Sequence, residues 1–219
     1  MKRWTTADGL IYDMFDEKKH VIGEEDIPYE DAVDWRIGVD YGTGNATVFE
    51  LGFMDSKGKI YIIDEYYFAG RLEAQAENDY SAQKTDQEYA DDMKLFINKH
   101  YNTTGRTYRE IQIVVDPAAA SFKLTLRRMH MKTKNAINDV INGIRTVSTF
   151  LQSDSLYISN RCEMLIDEIQ TYVWDTKKQE HGIDAPKKRD DHAVDALRYL
   201  VMSMARKTDM SKIAINAGI

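Results

Sequence analysis

The sequence predicts an α/β domain with a mixed β-sheet that contains an antiparallel three-strand meander. Two observations carry this prediction. Three apolar, alternating segments follow one another between residues 35 and 70 with only short loops between them, which is the pattern of a meander. Segments with helical spacing then alternate with short apolar strands, and this order produces an α/β fold.

The meander is the best-defined part of the pattern. Its first strand, "WRIGVDYG", covers residues 35–42 and ends at a glycine. The second, "NATVFELGFMD", covers residues 45–55, and "SKGK" forms a hairpin turn before the third strand, "IYIIDEYYFAG", at residues 60–70. Short connections of this kind join strands that run antiparallel.

The rest of the chain alternates between the two types of element. A polar loop at residues 71–86 precedes it, and another polar segment at 175–189 interrupts it. The segment 110–116, "EIQIVVD", is apolar throughout, which is typical of a strand buried on both faces. The remaining predicted elements are a strand at 155–159 and helices at 89–101, 121–131, 136–152, 161–174 and from 190 onward.

Composition limits the possible classes of protein. The chain has 219 residues, 43% of them hydrophobic, which suffices for one well-packed domain or two small ones. It carries 36 acidic against 29 basic residues, so any contact with nucleic acid must be local or aided by bound cations. The single cysteine, Cys162, excludes an internal disulfide framework and suits a reducing compartment.

Neither a membrane span nor a secretion signal is predicted. No apolar run approaches the roughly 18 residues of a transmembrane helix. The start, "MKRWTTADGL", lacks the apolar core of a signal peptide, so we expect a soluble intracellular protein.

The domain boundaries follow from composition. Residues 1–34 form an amino-terminal arm, whose aromatic residues Trp4, Tyr12 and Phe15 indicate that it packs on another surface. The acidic "GEEDIPYED" acts as a linker within it. The folded domain is expected at 35–206 and a frayed tail at 207–219.

Three aspartates lie where chemistry is expected. Asp40 and Asp116 each end an apolar strand, and Asp195 lies in the last helix. Strand ends of an α/β sheet are where sites form, and an acid there is costly to bury without a positive partner. No lysine or arginine is next to Asp40 or Asp116 in the sequence. A divalent cation held by oxygen ligands is the simplest partner.

The last helix starts with an unusual cluster of acids. Asp190 and Asp191 precede His192, and Asp195 follows one turn later. Acids in a first turn complement the helix dipole, which accounts for Asp190 but poorly for Asp195. Like charges four residues apart cost a few tenths of a kcal/mol, so a functional role for Asp191 and Asp195 stays open beside a purely structural one.

Other interpretations remain open from the residues alone. Asp40 could shape a turn, and Asp116 before a proline could simply stop a strand. Asp64 and Glu65 lie on a strand and are taken as mostly structural. The stretch "GVDYGTGN" resembles the first phosphate loop of actin-like and heat-shock ATPases, but no second such loop is present. The absence of GxxxxGK[ST] excludes a phosphate-loop ATPase from this chain.

In order and context, the motifs "GVDYGTGNATVFELG", "IQIVVDPAAASFKLTLRR", "NDVINGIRTVSTFL" and "DDHAVDALRY" resemble the ribonuclease H-like superfamily. More specifically, they are similar to the carboxyl-terminal nuclease domain of bacteriophage large terminase subunits, the DNA-packaging motors. "RWTTADGLIYDMFD" resembles the segment that links the packaging ATPase to the nuclease in that family. The resemblance implies a ribonuclease H-like sheet, a meander plus parallel strands, flanked by helices.

The resemblance also implies a catalytic centre. By position, Asp40, Asp116 and Asp195 would be metal ligands, and His192 a ligand or catalytic helper. Asp191 would be an additional ligand. The implied cofactors are two divalent cations, Mn²⁺ or Mg²⁺, and the implied reaction is two-metal hydrolysis of a DNA phosphodiester.

Basic residues flank the proposed acids and are expected to contact DNA phosphates, although ordinary solvated surface charge is the alternative. Nothing in the sequence suggests base readout, so we expect little sequence specificity. The predicted DNA-binding residues are Lys123, Arg127, Arg128, Lys132, Lys134, Lys187, Lys188 and Arg189.

The implied setting is the cytoplasm of an infected bacterial host, without a membrane. The implied partners are double-stranded DNA, the portal, the small terminase subunit and a packaging ATPase domain that this chain lacks. The chain would therefore be one domain of a larger protein. Two alternatives stay open, namely a resolvase- or transposase-like nuclease of the same fold, and a non-catalytic module that docks onto the portal.

Overall fold

The computed structural model describes residues 9–42, 46–69 and 84–205. They form one seven-stranded sheet with helices on both faces. The strands are β1 (Val21–Ile22), β2 (Ala32–Asp40), β3 (Thr47–Asp55), β4 (Ile60–Phe68), β5 (Gln112–Val115), β6 (Lys132–Asn135) and β7 (Leu156–Ser159). The helices are α1 (Glu17–His20), α2 (Asp86–Lys99), α3 (Tyr101–Thr104), α4 (Ala120–Arg128), α5 (Val140–Gln152), α6 (Glu163–Thr171), α7 (Thr176–Gln179) and α8 (His192–Ala205).

The sheet is mixed, with the order β1-β7-β4-β3-β2-β5-β6. Strands β2, β3 and β4 pair antiparallel, so the predicted meander is confirmed. All other pairs are parallel. The apolar strand β5 lies between β2 and β6 and is buried, as its composition predicts.

Alternation along the strands divides the core into two layers. On β3, Val48 and Met54 face the layer that contains α5, α6 and α8. Phe49, Leu51 and Phe53 face the opposite layer, which contains α2 and α4. This two-sided burial follows from the period of two along a strand, and it leaves the sheet enclosed between helices.

Helix α8 lies unusually close to the sheet. Gly38 on β2 makes this possible, since a Cβ atom at this position would lie 2.2 Å from the Ala196 carbonyl oxygen. The missing side chain lets the helix backbone rest directly on β2. The first turn of α8 is thereby brought to the end of β2, where Asp40 lies.

Several predicted boundaries were wrong. Helix α2 begins at Asp86, three residues before the predicted start, because Thr85 and Glu88 form a capping box. The helix predicted at 121–131 ends at Arg128, and Lys132–Asn135 forms a strand that the sequence did not indicate. This strand is polar and mostly exposed at the sheet edge, so it has no apolar alternation to reveal it.

The amino-terminal segment packs against the domain from Gly9 onward. Ile11 and Tyr12 are buried in the layer of α5, α6 and α8, and Ile11 N donates to Tyr172 O at 2.9 Å. Strand β1 then adds to β7 at the edge of the sheet. Trp4 and the predicted tail at 207–219 lie outside the described residues.

Across the described ranges, no helix has the length and apolar character needed to cross a membrane.

Candidate functional site

Two of the predicted acids lie side by side at the carboxyl ends of two neighbouring strands, which form one edge of the sheet. Strands β2 and β5 are parallel neighbours, and Val39 is paired with Val115. Asp40 and Asp116 each follow one residue later, so both carboxylates emerge at the same level of the sheet. Parallel neighbours are about 4.8 Å apart, which places two like charges close together at a carboxyl edge.

The first turn of α8 adds a third group to this edge. His192 Nδ1 lies 2.8 Å from Asp40 Oδ2, although the two residues are 152 positions apart in the chain. Both side chains are less than a fifth exposed. The structure therefore brings the predicted histidine into direct contact with the first predicted acid.

This contact shapes the protonation of both groups. Burial raises the pKa of Asp40, the hydrogen bond from His192 lowers it, and the nearby charges of Asp195 and Asp116 raise it again. The hydrogen bond to Asp40 raises the pKa of His192 against the effect of burial. The charges of Asp116 and Asp195 thus act on Asp40, while the hydrogen bond between Asp40 and His192 favours the charged form of each partner.

Asp195 is buried and paired with two cations. Its Oδ1 accepts from Arg198 Nη2 at 2.6 Å and from Arg198 Nε at 3.2 Å, and the Arg198 side chain is fully buried. Its Oδ2 lies 3.4 Å from Lys188 Nζ, which is also 3.2 Å from Asp191 Oδ2. The like-charge pair of Asp191 and Asp195 is therefore bridged by one lysine ammonium.

Asp116 is tied to α8 by a tyrosine. The Tyr199 hydroxyl donates to Asp116 Oδ2 at 2.8 Å, and Asn138 Nδ2 approaches the same oxygen at 3.3 Å. Ala118 N donates to Asp116 Oδ1 at 2.7 Å, which is the turn-forming role that the sequence left open for this aspartate. Asp116 is half-buried, so it both shapes the turn and faces the edge.

The donor chemistry of this edge suits a hard divalent cation, because its ligands are carboxylate oxygens and one imidazole. Burial and neighbouring negative charge raise the pKa of Asp40, and a cation would relieve that crowding. In the arrangement described here, no three acidic, imidazole or thiol groups of residues 9–42, 46–69 and 84–205 are placed to hold one ion. Arg198 and Lys188 instead neutralise Asp195.

The predicted DNA-binding residues fall into three groups. Lys123 is buried, and its ammonium donates to the Pro117 carbonyl and to Asn135 Oδ1, both at 2.8 Å, so it fixes the loop after Asp116. Lys188 forms ion pairs with Asp191 and Asp195, as described above. The others are exposed, namely Arg127, Arg128, Lys132, Lys134, Lys187 and Arg189.

A cleft of about 300 Å³ lies at the segment that precedes α8. Lys187 and Arg189 line it together with Thr171, Val173 and Asp190. Arg189 Nε lies 3.1 Å from Asp190 Oδ2, so part of its charge is already balanced. This cleft places basic groups immediately before the helix that carries His192.

The sequence interpretation missed three residues that support the site. Arg198 and Tyr199 lie three and four positions after Asp195, a spacing that places side chains on the same helix face and could have identified them. Glu168 on α6 accepts hydrogen bonds from the first turn of α8. No local pattern links it to that helix, since 25 residues separate it from Ala193.

Comparison with known proteins yields no matching family model. The large terminase subunit of Escherichia phage T5 is 26% identical over 212 residues, which cover 93% of this chain and 44% of that protein. A large terminase from a thermophilic bacteriophage, solved in more than one crystal form, is 38% identical with a TM-score of 0.76, over 92% of this chain and 46% of that one. The chain therefore spans a little under half the length of these relatives.

A solved nuclease domain matches along its whole length. The large terminase nuclease of the thermophilic phage G20c, solved with bound cobalt, has 12% identity and a TM-score of 0.63, with coverage of 90% of this chain and 98% of that one. These comparisons confirm that the chain resembles large terminase subunits in sequence and that it shares the fold of their nuclease domains, which is the predicted ribonuclease H-like fold.

Proposed function

We propose that this chain, a homologue of large terminase subunits in their nuclease part, is a metal-dependent endodeoxyribonuclease of a phage DNA-packaging motor. It would cut concatemeric double-stranded DNA when packaging starts and ends, with little sequence specificity. The portal, the small terminase subunit and a packaging ATPase domain would be its partners. The observation that carries the proposal is the matched position of Asp40 and Asp116 at the carboxyl ends of β2 and β5, with His192 from the first turn of α8 in contact with Asp40.

The homologues support a nuclease role in packaging, and the geometry supports this edge as the site. Asp40, Asp116 and Asp195 are contributed by three different parts of the chain, and the charges of Asp116 and Asp195 both act on Asp40. A cluster of acids with no role beyond structure would only destabilise the fold, because burying charged groups costs free energy. Hydrolysis of a phosphodiester provides a reason for keeping them together.

Each residue has a distinct proposed role. Asp40 and Asp116 would hold divalent cations, and Asp195 and Asp191 would complete the ligand set once Lys188 moves away. His192 would orient the Asp40 carboxylate through the 2.8 Å contact, or serve as a ligand itself. Tyr199 and Arg198 would hold Asp116 and Asp195 in position.

Mn²⁺ or Mg²⁺ fits the oxygen-rich donors, and the relative from phage G20c was solved with cobalt. A bound divalent pair supplies a water of lowered pKa and stabilises the charge that develops on the phosphate. Arg198 would fix the direction of the Asp195 carboxylate, because its fully buried guanidinium donates to one carboxylate oxygen from two nitrogens.

The DNA would lie along the exposed basic groups that flank the site. Lys187 and Arg189 line the cleft next to α8, and Lys132 and Lys134 lie on β6, two strands from β2. These groups would contact phosphates, which fixes the duplex without base readout. Such contacts are local, which agrees with a net charge of -7 for the whole chain.

The test is cleavage of supercoiled plasmid with Mn²⁺, Mg²⁺ or EDTA by the wild type, Asp40→Asn and Asp195→Asn. We expect metal-dependent nicking and linearisation that both substitutions reduce to background. Sequencing of the cut ends should show no strong site preference, and a junction substrate should not be preferred over a duplex.

Cleavage that survives both substitutions would show that the site lies elsewhere. A strong preference for branched DNA would favour the resolvase-like alternative. Absence of cleavage with every metal, together with no metal binding by calorimetry, would favour a docking module instead.

A further inference from the structure

One buried glutamate holds the start of α8. Glu168 lies on α6 with 3% of its surface exposed, and its Oε2 accepts hydrogen bonds from Ala193 N at 2.7 Å and Val194 N at 3.0 Å. The first amides of a helix have no partner within the helix and must find one elsewhere. A side chain from another helix meets that requirement here.

The position of these two amides gives the contact its importance. Ala193 and Val194 lie between His192, which contacts Asp40, and Asp195, which is paired with Arg198. Both residues are fully buried, so water cannot replace the glutamate as their acceptor. The place of the first turn of α8, and of the site groups on it, therefore depends on Glu168.

The same contact occurs one step further from the site. Glu65 on β4 accepts hydrogen bonds from Met164 N at 2.7 Å and Leu165 N at 3.0 Å, at the start of α6. Glu65 thus fixes α6 to the sheet, and Glu168 fixes α8 to α6. Both carboxylates therefore hold the first amides of a helix, Glu65 with its two oxygens and Glu168 with one, and only Glu168 touches the helix that bears the site.

We propose that Glu168 is a positioning residue of the nuclease, which holds the first turn of α8 so that His192 and Asp195 meet Asp40 in the productive arrangement. This inference rests on the proposed function and adds a residue to it. The alternative is that Glu168 contributes only to general stability, as Glu65 is expected to do.

Shortening the side chain by one methylene distinguishes a positioning role from a role in stability alone. Glu168→Asp keeps the carboxylate but withdraws it by one methylene, and Glu65→Asp makes the identical change at the start of α6. Misplacement of a catalytic group by about 1 Å can cost about 10²-fold in rate. We expect Glu168→Asp to lower kcat for plasmid cleavage by about 10²-fold with little change in KM. Glu65→Asp should lower the melting temperature by a comparable amount and kcat far less.

A second variant tests whether the acceptor oxygen is what matters. Burial raises the pKa of Glu168 to about 7, against the opposing effect of the Val194 and Ala193 amides, so a neutral acceptor is already close to the native condition. Glu168→Gln keeps an oxygen at the same reach and should recover most of the activity lost in Glu168→Asp. Amide hydrogen exchange at Ala193 and Val194 should be faster in the Asp variant than in the Gln variant.

The outcomes separate this inference from the function on which it rests. A wild type that does not cut with any metal would overturn the proposed function and this inference together. If the wild type cuts and both Asp variants lose activity only in proportion to their melting temperatures, Glu168 has no positioning role and the proposed function stands. Equal kcat values for the Asp and Gln variants of Glu168 would likewise overturn the inference.

Discussion

At the scale of single residues, the ion pair between Asp195 and Arg198 shows how two buried charges depend on each other. Arg198 is fully buried, and Asp195 is 7% exposed. Taking both charges out of water is costly, so the pair contributes little net stability while its members depend on each other strongly. Arg198 Nη1 has no hydrogen-bond partner within the described residues, and Gly143 leaves the room that this group occupies.

Removal of the arginine alone should therefore be severe. We expect Arg198→Met to lower the free energy of unfolding by about 3–5 kcal/mol, because it removes one partner of a buried ion pair and leaves the Asp195 carboxyl uncompensated. The measurement is urea denaturation at neutral pH. Lys188 reaches the other carboxylate oxygen from a side chain that is 62% exposed, so it offers only partial compensation.

The double variant Asp195→Asn with Arg198→Met provides the control. It removes both charges and should be clearly more stable than Arg198→Met alone. A single substitution that costs under about 1 kcal/mol, or a double variant no better than the single one, would show that the pair is not coupled in this way.

At the scale of elements, the contact of α8 with β2 decides the form of the site. The helix rests on Gly38, and its first turn then lies at the carboxyl end of β2. The parallel register of β2 with β5 places Asp116 at the same level as Asp40. One close helix–strand contact and one strand register thus bring together residues from three separate parts of the chain.

A methyl group at Gly38 should disturb this contact. The added Cβ would lie 2.2 Å from the Ala196 carbonyl and 2.8 Å from Leu200 Cβ, so α8 would have to move. Overpacking of this kind typically costs about 1–3 kcal/mol or more. We expect Gly38→Ala to lower the melting temperature and to reduce plasmid cleavage beyond the loss of folded protein.

Gly143→Ala is the matched control on α5. Its Cβ would meet Arg198 Nη1 and Met202 Sδ, both at 3.0 Å, and these are the ends of flexible side chains. Alanine also favours a helix over glycine by about 1 kcal/mol. A melting temperature that falls as much as in Gly38→Ala would refute the backbone clash as the cause.

At the scale of the whole molecule, buried glutamates set the response to pH. Glu50 is fully buried, both of its carboxylate oxygens lack a hydrogen-bond partner among the described residues, and burial raises its pKa well above the ordinary value. Burial also raises the pKa of Glu65 and of Glu168 to about 7 each. The folded protein therefore binds protons that the unfolded chain has already released at neutral pH.

The sign of the effect follows from this difference. A carboxyl whose pKa is raised on folding does not lower the free energy of unfolding at a pH where it is protonated in both states. It lowers that free energy as the pH rises from its unfolded pKa through its folded pKa. His192, whose pKa is raised mainly by its hydrogen bond to Asp40, also loses its contribution as the pH rises. We expect the melting temperature to fall from about pH 5 to about pH 8, and calorimetry over this range measures it.

Two variants test which carboxyl groups cause the fall of the melting temperature with pH. Glu50→Gln should raise the melting temperature more at the alkaline end of this range than at the acid end, because it removes a carboxyl that ionises more readily in the unfolded chain than in the folded protein. Glu88→Gln changes an exposed carboxyl whose pKa is lowered by hydrogen bonds from Thr85, so the slope over this range should stay as in the wild type. A flat or rising melting temperature would contradict the prediction.

The sequence alone determined the order of the main elements, from the meander to the last helix, and it supplied the candidates for the site. Apolar alternation identified the meander, and helical spacing identified α2, α5 and α8, because these patterns repeat within a few residues. Asp40, Asp116 and Asp195 stood out because each charge ends or interrupts an apolar segment. Strand β6 escaped notice because its four polar residues at the sheet edge carry no such pattern.

Only the tertiary structure decided which groups meet. The contact of His192 with Asp40 joins residues 152 positions apart, and the Tyr199 hydroxyl reaches Asp116 across 83 positions. Such pairs depend on the register of β2 with β5 and on the packing of α8 over Gly38. The sequence around Glu168 does not reveal its role. The two amides that it accepts from lie at the start of α8, and they need an acceptor only when that helix is packed and buried.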